Sequence, residues 1–99
     1  MSRFDLYKIS GGEGYLLDLQ TDLLDLQTTR IVAPVMPQST AEKTIKSMHP
    51  VVEINGEPHV VVTHLMGAVS KAALRVPVAN LSDQADEFTR ALDLLFQGY

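Results

Sequence analysis

Ninety-nine residues are enough for one compact domain, and 45% hydrophobic with 20% charged residues is an ordinary globular composition. The net charge is -4 and the eight basic side chains are scattered, which argues against nucleic acid as the main partner. Cysteine is absent, so disulfides, thiolate catalysis and thiolate metal sites are excluded, and a reducing cytoplasm is the fitting compartment.

No repeat or linker divides residues 1–99, so a single domain is expected. The opening "MSRFDLYKIS" alternates polar and apolar residues and lacks the apolar core of a signal peptide. No apolar run approaches the length of a membrane span. Phe4, Leu6 and Ile9 set against Arg3, Asp5 and Lys8 give a strand pattern. "SGGEG" (10–14) reads as a hairpin turn, and "YLLDLQ" (15–20) as the returning strand. "TDLLD" then breaks the alternation: Leu23 and Leu24 are adjacent, so on a strand one of them would face away from any core.

"TRIVAPVMP" (29–37) reads as a strand. Pro34 lacks an N–H, so that strand is expected at an edge, or bulged. Residues 38–47 suit a loop or short helix. In 50–64, Asn55-Gly56 between β-branched runs predicts a type I′ hairpin, because both residues tolerate positive φ. Short strands are expected around Val69 and over Ala73–Val76. At the end, Ser82 is the expected helix N-cap, with Asp83, Asp86 and Glu87 favourably placed in the first turn. Ala85, Phe88, Leu92 and Leu95 recur at helical spacing, which predicts that Phe88, Leu92 and Leu95 are buried. Gly98 fits a C-terminal position of positive φ. The whole is mainly β: five or more antiparallel strands in a small barrel or bent sheet, then one helix.

No catalytic constellation emerges. His59 and His64 lie five apart in strand-like sequence and point to opposite faces, so with His49 they read as surface or strand-end residues, and no metal site is completed. The five serines sit in no nucleophile-elbow sequence. "GGEG" has neither the lysine nor the following helix of a phosphate loop. Asp18, Asp22 and Asp25 read as a solvated strand end and turn, not as a cation loop. No cofactor is implied. Two features have no evident part in the fold, the pair Leu23-Leu24 and the apolar end "LLFQGY". "LFQG" also looks like a protease-site remnant, but the helical stripe runs directly into it, so it reads as native.

The chain resembles the CcdB family of bacterial toxins over nearly its whole length. The matching pieces are "FDLYK", "LDLQTDLLD" (17–25), "TRIVAPV" (29–35), "HPVVEINGE" (49–57), "ANLSD" (79–83) and "ALDLLFQGY". Their order and spacing, more than any one piece, carry the likeness. The resemblance implies an SH3-like barrel with a C-terminal α-helix, assembled as a homodimer. It implies a toxin that binds the A subunit of DNA gyrase and traps the gyrase–DNA cleavage complex without doing chemistry, by differential affinity for one conformation. It also implies a cognate antitoxin with a disordered C-terminal half, operator DNA contacted only through that antitoxin, and no membrane partner.

Carried over position by position, the resemblance puts gyrase contacts on Thr21, Leu23, Leu24, Asp93, Phe96, Gln97, Gly98 and Tyr99. Exposed apolar side chains on rigid elements make usable anchors, and the last three residues are expected to project beyond the helix stripe. Two departures stand out. Where the family pattern has a terminal Trp-Gly-Ile, this chain has Gln97-Gly98-Tyr99. A cation–π contact worth ~1–2 kcal/mol is thereby missing, about a tenfold loss of affinity, unless Tyr99 stacks instead. Asp93 stands where an amide is common and offers only acceptors. Two other readings compete. One is a homologue that binds antitoxin but has lost gyrase. The other is an endoribonuclease on the same fold, for which Arg30 with His49 or His64 would have to supply the acid–base and cationic groups.

Overall fold

The computed structural model describes residues 2–41, 44–45 and 47–98. Two hairpins form where the sequence supplies turn residues. β1 (Asp5–Lys8) and β2 (Tyr15–Asp18) pair through Leu6↔Leu17, with the Ile9 N–H donating to the Gly14 carbonyl at 3.2 Å across the turn. β4 (Val51–Ile54) and β5 (Glu57–Val61) are joined by Asn55 and Gly56 at φ 53 and 79, the twin positive values a type I′ turn requires. Between the hairpins runs the long β3 (Thr29–Pro37). β6 (Gly67–Ser70) and the two-residue β7 (Ala79–Asn80) complete an antiparallel sheet of order β4-β5-β3-β2-β1-β7, with β6 also on β3. The sheet curls into a half-barrel, and one helix, α1 (Ala85–Gln97), follows it. The fold is therefore mainly β with a C-terminal helix, as the sequence led one to expect.

The core lies inside the curl. Leu6, Leu17, Ala33, Val35, Val52 and Val61 meet there with Phe4, Leu19 and Phe88. A smaller cluster of Tyr7, Val32 and Leu74 covers part of the opposite face. The helix is held mainly by Phe88, whose ring lies 5.2 Å from that of Phe4, and by packing on the turn at Thr63–Leu65. Phe4 itself has φ 70, a left-handed conformation costly for a bulky residue. Among the described residues, no helix is long and apolar enough to cross a membrane.

Several expectations change. The strand with Pro34 is central, flanked by β2 on one side and by β6 and β5 on the other. Pro34 fits because its missing N–H faces the junction between those two partners: β6 pairs as far as Val32, β5 begins at Val35, and Pro34 only accepts, from the Val62 N–H at 2.8 Å. Residues 73–76 form no strand; a 3-10 turn over Lys71–Ala73 precedes irregular chain. Ser82 is not the α1 cap. It begins a 3-10 turn, Ser82–Gln84, and the Asn80 side-chain oxygen accepts its N–H at 3.0 Å. Phe88 is buried as expected, whereas Leu92 and Leu95 are half-buried and Ala91 is fully buried, so the inward stripe is rotated toward Phe88-Ala91.

Candidate binding surface

β2 ends at Asp18, and the chain turns outward before β3 returns at Thr29. Within this loop Thr21 caps a 3-10 turn, Asp22–Leu24, accepting the Leu23 N–H on its hydroxyl at 3.3 Å. The turn is continued by the Asp25 N–H to the Asp22 carbonyl (3.1 Å) and the Gln27 N–H to the Leu24 carbonyl (3.0 Å). With no core on the outer side, the leucines face solvent: Leu23 is 91% exposed and Leu24 46%. Leu26, which the sequence pattern did not single out, is 97% exposed on the same loop.

Beneath the loop lies a buried polar network. Arg30 and Asp18 are both fully buried; Nε donates to Oδ2 and Nη2 to Oδ1, each at 2.9 Å. The same Nη2 donates to the Gln20 carbonyl at 3.0 Å, and the guanidinium lies 3.7 Å from the Asp22 carboxylate and 3.5 Å from that of Asp25. Burial raises the Asp18 carboxyl above its ordinary value, against the pull of Arg30. Burial works in the opposite sense on Arg30, where the hydrogen bond and charge of Asp18 outweigh it and hold the guanidinium above its ordinary value. Lys71 donates to the Asp25 carbonyl and lies 3.5 Å from its carboxylate. Of the acidic trio, Asp18 is thus a buried ion-pair partner and not a solvated strand end, while Asp22 and Asp25 lie in the solvated turn as expected and lean on the same cation. Spacing alone hid this, since the partners are 12 residues apart on neighbouring strands.

The second group sits at the end of α1. Asp93, Gln97 and Gly98 are exposed, and Phe96 is 71% exposed, turned away from the core. Gly98 has φ 83 and donates its N–H to the Leu94 carbonyl at 2.9 Å, ending the helix as its position predicts. Tyr99 lies outside the described residues. The loop and the helix end share no hydrogen bond or ion pair among the described residues. The N-terminal segment touches the loop and the start of α1: the Arg3 N–H donates to the Asp22 carboxylate at 2.8 Å, and Phe4 packs on Phe88 in the first turn of the helix.

The histidines are less peripheral than the sequence suggested. His49 and His59 are buried; His64 is exposed. His49 Nδ1 accepts the Ile45 N–H at 2.8 Å, which leaves the proton on Nε2, and that nitrogen lies 2.8 Å from His64 Nδ1. Burial, aided by His64, lowers the His49 pKa. Among the described residues no three acidic or histidine side chains converge as metal ligands.

Solved structures share this half-barrel with its terminal helix. A crystal structure of an Mtb toxin superposes with a TM-score of 0.72 at 18% identity, covering 92% of this chain and 99% of that one. The Mycobacterium tuberculosis toxin MazF-mt6 gives 0.71 at 17% identity, covering 93% of each chain. At such identities the likeness is one of fold. The family is set by sequence: residues 3–98 match the CcdB protein family, and the chain belongs to it, a family of toxins from toxin–antitoxin systems.

Proposed function

We propose that this chain is the toxin of a type II module that binds the A subunit of DNA gyrase and holds the gyrase–DNA cleavage complex. The observation that carries this reading is the exposed Leu23-Leu24 pair on a turn whose backbone is internally hydrogen-bonded, matched by exposed Phe96 at the helix end. Apolar side chains kept in water on ordered elements are what a binding surface requires. Asp93, Thr21, Gln97, Gly98 and Tyr99 complete the contact set. The protein acts as a homodimer in the cytoplasm. A cognate antitoxin, disordered in its C-terminal half, neutralises it and brings the pair to operator DNA.

Action by binding alone, without catalysis, is part of the proposal. The complete burial of Arg30 against Asp18 supports it, since a guanidinium committed to a carboxylate is not free to hold a scissile phosphate. A homologue that keeps antitoxin but has lost gyrase is the second reading, favoured by Gln97 in place of an aromatic. The two separate in a direct binding experiment with the purified A subunit of gyrase. Retained binding that disappears when Gln97–Tyr99 are removed, with the truncated protein still folded, is the expected result. Failure of the intact protein to bind its host gyrase, with antitoxin affinity intact, selects the second reading.

A further inference from the structure

The geometry points to Gln20 as the positioning residue of the leucine turn, an inference that rests on the binding surface just proposed. Gln20 is about nine-tenths buried, and its side chain reaches both the leucine turn and the start of β3. Nε2 donates to the Leu24 carbonyl at 3.3 Å and to the Thr29 carbonyl at 3.2 Å, while Oε1 accepts the Ile31 N–H at 3.1 Å. Its own backbone is fixed as well: the N–H donates to Asp18 Oδ1 at 3.0 Å, and the carbonyl accepts from Arg30. One planar amide therefore ties the carbonyl of an exposed leucine to the returning strand, with both kinds of side-chain group engaged.

This placement has a functional consequence. Leu23 is almost wholly in water and Leu24 nearly half so, which leaves little apolar packing to orient the pair. Their orientation derives from the backbone, and the Gln20 amide is the side-chain brace that reaches the Leu24 carbonyl from inside. An anchor that is already ordered loses less conformational entropy on docking. Gln20 touches no partner; it sets affinity through the turn.

Gln20→Glu offers a test with an internal control. An ionised carboxylate keeps the acceptor for the Ile31 N–H but has no donor for the Leu24 and Thr29 carbonyls. A protonated one regains a single O–H donor. In Gln20→Glu at neutral pH, the exchange protection of the Leu24, Asp25 and Gln27 amides should fall about tenfold, as for one lost hydrogen bond. Affinity for the gyrase target should weaken by a similar factor. Both should recover in part as pH is lowered through the carboxyl titration, because one O–H replaces two N–H donors, while Gln20→Met, which cannot donate at any pH, should show no recovery. Core amides such as Leu17 and Val35 serve as the reference for global stability. Unchanged protection in the turn, or loss spread equally over the core with no recovery at low pH, overturns the inference. If the wild type does not bind gyrase, the amide data still decide whether Gln20 is the brace, and only the identity of the partner falls.

Discussion

At the scale of single residues, the decisive pair is Asp18 and Arg30. Both charges are out of water, and a buried ion pair repays its desolvation only with good geometry and further hydrogen bonds. Here two bonds of 2.9 Å join the partners, and the Gln20 backbone satisfies them further on both sides. Removing one partner strands the other. Arg30→Met should therefore destabilise the fold by about 3–5 kcal/mol, read as a drop in the urea midpoint. Adding Asp18→Leu should restore much of that loss, because the orphaned carboxylate goes with it. The double variant should nevertheless present the leucine turn less rigidly, since Asp22 and Asp25 would lose their shared cation.

At the scale of elements, the legible parts were those whose signal is local. Asn55-Gly56 carries its turn type in two residues, and Gly98 carries the helix end in one. The helix itself was legible from period, although its inward face rotated to Phe88 and Ala91 because the half-barrel meets it there. What the sequence hid depends on distant partners. Pro34 suggested an edge, but whether its missing N–H matters depends on where β5 takes over from β6. Leu23 and Leu24 stand out in the sequence by adjacency alone, while the network beneath them spans strands and leaves no periodic trace. The His49–His64 contact likewise joins a loop to a 3-10 turn 15 residues away.

That contact makes the loop before β4 sensitive to acid. His49 is buried and neutral, with its pKa lowered by burial and by His64, while the unfolded chain takes up a proton below about pH 6.5. The unfolded state then binds more protons, so this contribution is complete above that value and is lost as pH falls below it. Thermal unfolding measured from pH 7.5 down to 5.5 should show the midpoint decreasing. His49→Asn, which offers an acceptor to the Ile45 N–H but does not titrate in this range, should flatten the slope.

At the scale of the whole molecule, the fold separates support from contact. The core inside the curl holds Phe4, Leu17, Val35 and Phe88, and its two outer projections are the loop after β2 and the end of α1. The N-terminal segment ties the loop to the core, with Arg3 on Asp22 and the strained Phe4 on Phe88 at the start of α1. On the proposed reading, the two apolar projections held by one core form a wedge that enters between the protomers of the target, and no reactive centre is called for. The most direct measurement is cleavage of supercoiled plasmid by the host gyrase with ATP in the presence of the purified protein. Linear DNA released on denaturation should accumulate with the wild type and be lost with Leu23→Asp, a change at a side chain that lies almost wholly in water. Equal cleavage with and without the wild-type protein, or full retention of activity in Leu23→Asp, would contradict the proposal.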